Sequence, residues 1–318
     1  MMVWIYCGLG LVILLLAGDA LVRGAVNLSL RLGVPALIVS LTIVAFGTSA
    51  PELLVAIRAV LDDAPNIALG NVVGSNTANI LLVLGIPAIM AGVHTSQCNS
   101  RKTYVQMLLA TVLFIALACV GVFTATGGLF MLAVLAFVLW DMYRDAQAHR
   151  RAGVPDELEE IDEADPDMPY WRIGIYLVLG LVGLPLGANL LVENASVIAR
   201  TYGINDAVIG LTLVAVGTSL PELATTVMAA LRRHTDVALG NVIGSNLFNL
   251  LGIVGVATLF GPIPVASEFL RLDLWVMLGA SLLLIPFVFF CRDISRGWGV
   301  ALTGLYAAYI VYIVAFLD

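Results

Sequence analysis

The sequence has little charge. Only 12% of its 318 residues are Asp, Glu, Lys or Arg, whereas soluble domains carry about 25%. Hydrophobic residues make up 61% of the chain, and its mean hydropathy is +1.02. Apolar runs of roughly 20 residues, which is the length that crosses a bilayer, recur from end to end. The composition therefore excludes a soluble protein and predicts a polytopic membrane protein.

Other absences narrow the function. The four cysteines have no CxxC spacing, which argues against a metal cage or a disulfide framework. The sequence contains no HExxH or GxSxG motif, so we expect neither an enzyme nor a resident cofactor. Basic clusters of the kind that bind nucleic acid are missing. The apolar N-terminus has no basic n-region and no cleavage site, and we interpret it as a first span that stays in the protein.

Hydropathy predicts ten transmembrane helices in two groups of five, and the continuously apolar runs exclude a membrane β-barrel. We expect three regions: a first five-helix repeat (1–143), an acidic loop (144–169) and a second five-helix repeat (170–318). The loop contains "PDELEEIDEADPD". It lacks the turn glycine and the ligand spacing of an EF-hand, which favours a solvated linker over a calcium sensor. The predicted spans are 3–24, 34–60, 67–91, 103–122, 126–143, 171–198, 204–231, 237–260, 271–290 and 297–317.

Basic residues predict the orientation. All of the 15 Lys and Arg residues except Arg58, Arg200 and Arg271 fall on one side of the predicted spans. Basic loops stay in the cytoplasm. We therefore expect a plasma (inner) membrane protein with both termini outside and the acidic loop in the cytoplasm.

Two pairs of segments repeat at one constant offset. Residues 41–53, "LTIVAFGTSAPEL", match 211–223, "LTLVAVGTSLPEL", and residues 66–79, "NIALGNVVGSNTAN", match 236–249, "DVALGNVIGSNLFN". The motifs thus span 41–79 and 211–249. Five predicted helices separate the copies, so the copies run in opposite directions through the bilayer. This is the inverted-repeat plan of secondary transporters, in which the substrate binds near the midplane.

Each repeat contains a glutamate inside a predicted span, Glu52 and Glu222. An ionised carboxylate at this depth is costly unless a positive charge meets it, which makes it a functional hypothesis. The span interiors contain no lysine, and the nearest arginine, Arg23, lies near a helix end, one turn from Asp19, with which we expect it to pair. The missing positive charge is most simply a bound cation.

Residues around Glu52 favour a cation site. Thr48, Ser49 and Glu52 share one helical face, and Pro51 cannot donate to the carbonyl of Gly47, so the helix should break and leave backbone oxygens free. Carbonyls at such a break are cation ligands. The second repeat offers the same set: Thr218, Ser219, Pro221 and Glu222.

The helix after each glutamate has a polar stripe at i, i+4 and i+8. The stripes are Asn71, Ser75 and Asn79, and Asn241, Ser245 and Asn249. Every ligand type on offer is oxygen, which suits Ca²⁺ or Na⁺ and not zinc or copper. The "GNVVG" and "GNVIG" segments are also GxxxG packing patterns. For Asn71 and Asn241, ligation and a structural role in packing or backbone support remain equally open, whereas ligation is favoured for the other four.

With these motifs, "GTSAPE…GNVVGSNTAN" and "GTSLPE…GNVIGSNLFN", the sequence resembles the two alpha repeats of the Na⁺/Ca²⁺ exchanger family, in the cation/Ca²⁺ exchanger superfamily, and most of all its small prokaryotic members. The resemblance implies a secondary antiporter that exchanges Ca²⁺ for Na⁺ by alternating access. It implies that Glu52 and Glu222 hold Ca²⁺ with the carbonyls of Thr48 and Thr218. It also implies flanking Na⁺ sites, formed by Ala45, Ser49 and Ser75 and by Ala215, Ser219 and Ser245.

One departure concerns the position of Asn249, where many relatives have an aspartate, so the number and kind of coupling ions stay open. The absence of an acid at both Asn79 and Asn249 argues against the K⁺-dependent branch. The acidic loop is too short for the regulatory domains of large animal exchangers. Together, these features predict Ca²⁺ and Na⁺ as substrates of a bilayer protein that functions as a monomer.

Two alternatives remain. A Ca²⁺/H⁺ antiporter could use the same two carboxylates to carry protons, but that branch is expected to show GNxxE motifs, and here each GN pair is followed by GSN. A cation channel would also line its path with oxygens. Channels usually build their pore as a ring of subunits, whereas one copy of this chain supplies both halves of a closed site.

Overall fold

The protein is an all-helical polytopic membrane protein. The computed structural model describes residues 2–95, 100–152, 165, 167–203 and 215–316. The acidic segment 153–164 and the start of the predicted span 204–231 therefore lie outside the described residues. The helices are α1 (Met2–Leu32), α2 (Ala36–Thr48), α3 (Ala50–Leu61), α4 (Pro65–Ala91), α5 (Arg101–Ala118), α6 (Ala125–Ala152), α7 (Tyr170–Thr201), α8 (Ala215–Thr218), α9 (Leu220–Leu231), α10 (Thr235–Ala257), α11 (Phe269–Phe289) and α12 (Arg296–Phe316).

Most of the predicted spans are present as apolar helices of sufficient length. Within the described residues, eight helices can each cross a bilayer, and the bent pair α2 and α3 makes a ninth. Helix α9 is apolar but has only 12 residues, because it begins after the break at Ser219. The chain is therefore a multi-pass membrane protein with eight or nine apolar spans in its described part.

The helices break where the sequence predicts. α2 and α3 meet at an angle of 43°, and Ser49 between them leaves helical geometry, with φ −85° and ψ 2°. Pro51 then occupies the first turn of α3, where a missing amide hydrogen is tolerated. Ser219 repeats this geometry between α8 and α9, with φ −88° and ψ 6°.

Two predicted boundaries differ from the structure. α1 ends at Leu32 and not at residue 24, and α6 continues to Ala152, past the expected start of the acidic loop at residue 144. Hydropathy reports where the apolar run stops, and a helix can continue beyond it into water. The structure also contains two short strands, β1 (Val122–Phe123) and β2 (Ile263–Pro264), which pair antiparallel and join the loops after α5 and α10.

The interior of the protein is formed by the two helices that contain the GSN motifs. No residue of α10 is exposed, and α4 is exposed only near its ends. The outer helices show the opposite pattern, with large apolar side chains such as Trp171 and Leu186 pointing outward. A lipid environment favours this distribution, with apolar side chains on the outer surface and polar side chains buried inside.

Helices α1 and α7 pack through glycines and run antiparallel. A methyl group added to Gly180 would lie 2.8 Å from the Leu21 Cα, and one added to Gly187 would lie 2.8 Å from the Leu14 nitrogen. The later residue of α7, Gly187, contacts the earlier residue of α1, Leu14, so the two helices run in opposite directions. Their backbones touch, as small residues allow in membrane helices.

A cluster of charged residues ties α1 to the connection between α9 and α10. The Arg23 Nε lies 3.0 Å from a carboxylate oxygen of Asp19, which confirms the predicted pair. Arg232, 213 positions further along the chain, bonds to the other oxygen of Asp19. Asp19 thus holds two guanidinium groups at once, and only one of them is near it in sequence.

The α1–α7 contact predicts a strong effect of one methyl group. Gly180→Ala should lower the midpoint of thermal unfolding in detergent, because overpacking against fixed backbone costs about 1–3 kcal/mol. Gly174→Ala, on the same helix, is the matched control, since nothing lies within 4 Å of its added methyl group. The control should keep or slightly raise the midpoint, as alanine favours helix more than glycine. Equal midpoints for the two variants would contradict the close contact.

Candidate functional site

Glu52 and Glu222 occupy equivalent places in the structure. Each lies in the first turn of a helix that follows a break, α3 and α9. Both side chains are 0% exposed. Helix N-termini carry a partial positive charge, which favours an anionic group at these positions but does not neutralise two of them.

The two halves of the protein meet at these glutamates. The Ser49 hydroxyl, from the first half, donates to Oε1 of Glu222 at 3.2 Å. The hydroxyl oxygen of Thr48, the residue before Ser49, lies 3.5 Å from that of Ser245, which belongs to the second repeat. The predicted residues of both repeats therefore come together around one buried acidic centre.

Three carboxylate oxygens at this centre are buried without a partner. Within the described part of the chain, nothing hydrogen-bonds to either oxygen of Glu52 or to Oε2 of Glu222. A buried polar atom without a partner is destabilising, and a buried charge more so. Three such oxygens in one place are therefore the strongest indication of a cation site.

Asn71 and Asn241 support the backbone at the breaks. The Asn241 amide donates to the backbone oxygen of Glu222 at 3.2 Å, and its Oδ1 accepts from the Thr48 hydroxyl at 3.3 Å. The Asn71 amide nitrogen likewise donates to the backbone oxygen of Glu52 at 3.4 Å, and its Oδ1 accepts from the Thr218 hydroxyl at 3.4 Å. In both repeats, the asparagine on one helix joins a glutamate of its own half to a threonine of the other. Of the two roles that the sequence leaves open, these contacts favour support.

The remaining predicted residues lie in the same helices or at the breaks between them. Ser75 and Ser219 are buried, and the Ser219 hydroxyl has no partner among the described residues. Ala45 is buried in the last turn of α2, where Gly244 of α10 approaches it. Helix α8 begins at Ala215 and ends at Thr218, which is partly buried. The close approach of Gly244 shows that the "GNVIG" segment packs as well as presenting polar groups.

Asn79 and Asn249 lie in short π-helical turns, Asn79–Val83 and Phe248–Ile253. Such turns are frequent at functional sites. The turn that contains Asn79 packs against α9, which carries Glu222, and the turn that contains Asn249 packs against α3, which carries Glu52. Oδ1 of Asn79 and both polar side-chain atoms of Asn249 have no hydrogen-bond partner in the described part of the protein.

Sequence reasoning missed Asn76 and Asn246. Both are buried, and Asn246 accepts a hydrogen bond from Asn79 at 3.1 Å. A signal was present, because "GSN" is identical in the two repeats. Thr226 was also missed: its hydroxyl donates to the backbone oxygen of Glu222 at 2.7 Å and accepts from the Asn241 amide nitrogen. Its position in the first repeat is Ala56, so the repeat pattern could not have indicated it.

The donor set is made of oxygen. Nowhere among the described residues do three His, Cys, Asp or Glu side chains cluster, so two carboxylates, hydroxyls, amides and carbonyls are what the site offers. Hard cations such as Ca²⁺ and Na⁺ prefer these ligands. The arrangement fits such a cation and lacks the imidazole and thiolate groups that transition metals favour.

Known proteins share this architecture. The family described as "Sodium/calcium exchanger protein" matches residues 2–143 and 173–315. The sodium/calcium exchanger MaX1 of Methanosarcina acetivorans is 33% identical over 335 residues, covering 95% of this chain and 96% of MaX1. The putative antiporter CaxA of Alkalimonas amylolytica is 37% identical over 285 residues, 88% of each chain. A structure of the sodium-calcium exchanger NCX_Mj superposes with a TM-score of 0.82 at 31% identity, covering 100% of this chain and 99% of that one.

A buried oxygen site inside a polytopic helical fold defines a membrane cation transporter. The chain belongs to the sodium/calcium exchanger family. The resemblance found in the sequence is thereby confirmed. Because it belongs to this family, the protein is a cation/Ca²⁺ antiporter. The family implies Ca²⁺ and Na⁺ as the transported ions.

The role of Asn241 can be tested by stability. Asn241→Leu keeps the size of the side chain but leaves the Thr48 and Thr226 hydroxyls and the Glu222 oxygen with fewer partners. An unsatisfied buried group costs about 1–3 kcal/mol, so the midpoint of thermal unfolding in detergent should fall. Asn71→Leu is the matched control in the other repeat, with fewer and longer contacts and a smaller expected fall. A larger loss for Asn71→Leu would contradict the contacts described.

Proposed function

We propose that the protein exchanges Ca²⁺ for Na⁺ by alternating access at one site between Glu52 and Glu222, near the middle of the membrane. The observation that carries the proposal is the pair of fully buried carboxylates, three of whose oxygens have no hydrogen-bond partner among the described residues. One Ca²⁺ neutralises the two charges of the pair. A neutral loaded site can change the side to which it opens at low electrostatic cost, whereas an empty site with two negative charges cannot.

The proposed ligand set is the one that the resemblance to the exchanger family implies, together with the two asparagines that the polar stripes suggest. Glu52 and Glu222, with the carbonyls of Thr48 and Thr218, hold Ca²⁺, and Asn79 and Asn249 supply amide oxygens. Sodium uses the two glutamates together with two flanking sets. These sets are Ala45, Ser49 and Ser75 and their counterparts Ala215, Ser219 and Ser245. Because both ions need the same carboxylates, the occupancy of one excludes full occupancy by the other.

Inverted symmetry supplies the two access states. We infer ten spans in two five-helix halves, 1–143 and 170–318, joined by the cytoplasmic segment. Support comes from the antiparallel contact of α1 with α7 and from the reciprocal bonds of Asn71 and Asn241. Halves of opposite direction can exchange conformations, which opens the site first to one side and then to the other.

Sodium is favoured over protons as the coupling ion. The site offers hydroxyl, amide and carbonyl oxygens on both sides of the glutamates, which are Na⁺ ligands, whereas proton coupling requires only the carboxylates. The printed name of MaX1, a relative that spans nearly the whole chain, is that of a sodium/calcium exchanger. We further propose that the protein functions as a monomer in the inner membrane, with both termini outside.

Removing either charge should stop exchange. Glu52→Gln and Glu222→Gln should each abolish Na⁺-driven Ca²⁺ uptake into proteoliposomes, because one remaining carboxylate cannot balance a divalent ion. Both variants should still fold, since glutamine relieves a buried charge. Glu193→Gln, an exposed glutamate on α7, is the control and should transport normally. Normal uptake by either of the first two variants would refute the two-carboxylate site.

The coupling ion can be identified with imposed gradients. Proteoliposomes with an outward Na⁺ gradient should accumulate Ca²⁺, and those with an outward H⁺ or K⁺ gradient should not. External Na⁺ should also reduce Ca²⁺ binding competitively. Uptake driven by a pH gradient without Na⁺ would instead identify a Ca²⁺/H⁺ antiporter, and uncoupled Ca²⁺ leak without any counter-ion would indicate a channel.

A further inference from the structure

Asn246 is a buried residue of α10 that reaches across to α4. It lies one residue after Ser245 and one helical turn before Asn249, and its side chain contacts Asn79. We propose that Asn246 is a positioning residue, which turns the Asn79 carboxamide so that its oxygen faces the cation. This inference rests on the function proposed above and adds to it a residue that does not touch the ion.

The hydrogen bonds around Asn246 run in one direction. Its amide nitrogen lies 3.5 Å from the backbone oxygen of Asn76 and 3.7 Å from the Met107 sulfur. Both of those atoms can only accept, so the Asn246 nitrogen must be on that side and its oxygen on the other. That oxygen then accepts from the Asn79 nitrogen at 3.1 Å. The orientation of one amide thus sets the orientation of the next.

These hydrogen bonds of Asn246 determine which side-chain atom of Asn79, the oxygen or the nitrogen, is left to face a cation. With its nitrogen bonded to Asn246, Asn79 presents Oδ1, which is buried and has no hydrogen-bond partner among the described residues. A carboxamide binds a cation only through its oxygen, and the opposite orientation would direct two N–H groups at the ion. Groups that orient metal ligands from behind commonly change affinity by about 10–100-fold when removed.

The equivalent residue in the first repeat makes no such relay. Asn76 is as buried as Asn246, but its nitrogen donates to Val72 of its own helix at 2.7 Å. Its oxygen has no partner within the described residues, and neither polar side-chain atom of Asn249 has one. Asn76 is therefore a natural control: it is the same residue type in the same motif and is equally buried, but among the described residues its side chain makes no hydrogen bond to Asn249.

The first test compares Asn246→Leu with Asn76→Leu. Leucine resembles asparagine in size but forms no hydrogen bond. Ca²⁺ binding to the purified full-length protein in detergent, measured by calorimetry, should weaken about tenfold or more for Asn246→Leu and change little for Asn76→Leu. Unchanged affinity for Asn246→Leu, or an equal loss for both variants, would overturn the proposal. If Asn246→Leu does not purify as a folded protein, Asn246→Ala, which adds no bulk, takes its place.

A second background separates positioning from packing. Asn79→Asp replaces the carboxamide by a carboxylate, which presents oxygen in either orientation and needs no positioning group. In this background, Asn246→Leu should cause little further loss of Ca²⁺ affinity. A packing defect would weaken binding equally with Asn79 and with Asp at this position, and that result would overturn the positioning role.

The same measurements distinguish this inference from the proposed function. If the wild-type protein binds Ca²⁺ and Glu52→Gln does not, the cation site stands, and the Asn246 variants test the relay alone. If the wild-type protein binds no Ca²⁺, or if Glu52→Gln binds it normally, the site itself is wrong and the relay falls with it.

Discussion

Two fully buried carboxylates, which form no ion pair with any of the described residues, are the constraint on which the rest of the structure depends. Hydroxyl and amide groups of Thr48, Ser49 and Asn241 surround Glu222 or its backbone. The helix breaks bring two positive helix ends to the acids. The hydroxyl of Ser49 reaches Glu222 from the opposite half of the protein. These contacts lower the electrostatic cost of the pair without removing it, and that remaining cost is what a cation can relieve.

The two most buried of the described helices provide the polar side chains that support the site. α4 and α10 are the most buried helices, yet they contain the two polar stripes. A polar helix can be buried in a membrane protein only if its groups are satisfied by protein or by a bound ion. Asn71 and Asn241 are satisfied by backbone at the breaks, and Asn246 by its neighbours. The partnerless atoms are concentrated on the glutamates and on the residues that the repeats place beside them.

Much of this arrangement follows from local sequence, and some of it cannot. The length of an apolar run predicts a span, and Pro51 predicts the break at Ser49, because both depend on the backbone alone. The predicted spans that end at residues 24 and 143 stop before α1 and α6 do, because a helix can continue beyond the end of its apolar run. The pairing of Arg232 with Asp19 joins residues 213 positions apart, and neither hydropathy nor the polar stripe indicates the π-helical turns at Asn79 and Asn249. The orientation of an amide such as Asn246 depends on Met107, a residue of another helix with no polar pattern to mark it.

The glycine contact between α1 and α7 has a mechanical consequence. Where side chains interdigitate, two helices can slip from one set of rotamers to another as they shift. At Gly180 and Gly187 the glycine backbone lies against main-chain atoms of Leu21, Leu14 and Gly10, so few side-chain rotamers separate the two helices. We therefore expect α1 and α7 to move together as one unit when the protein changes conformation.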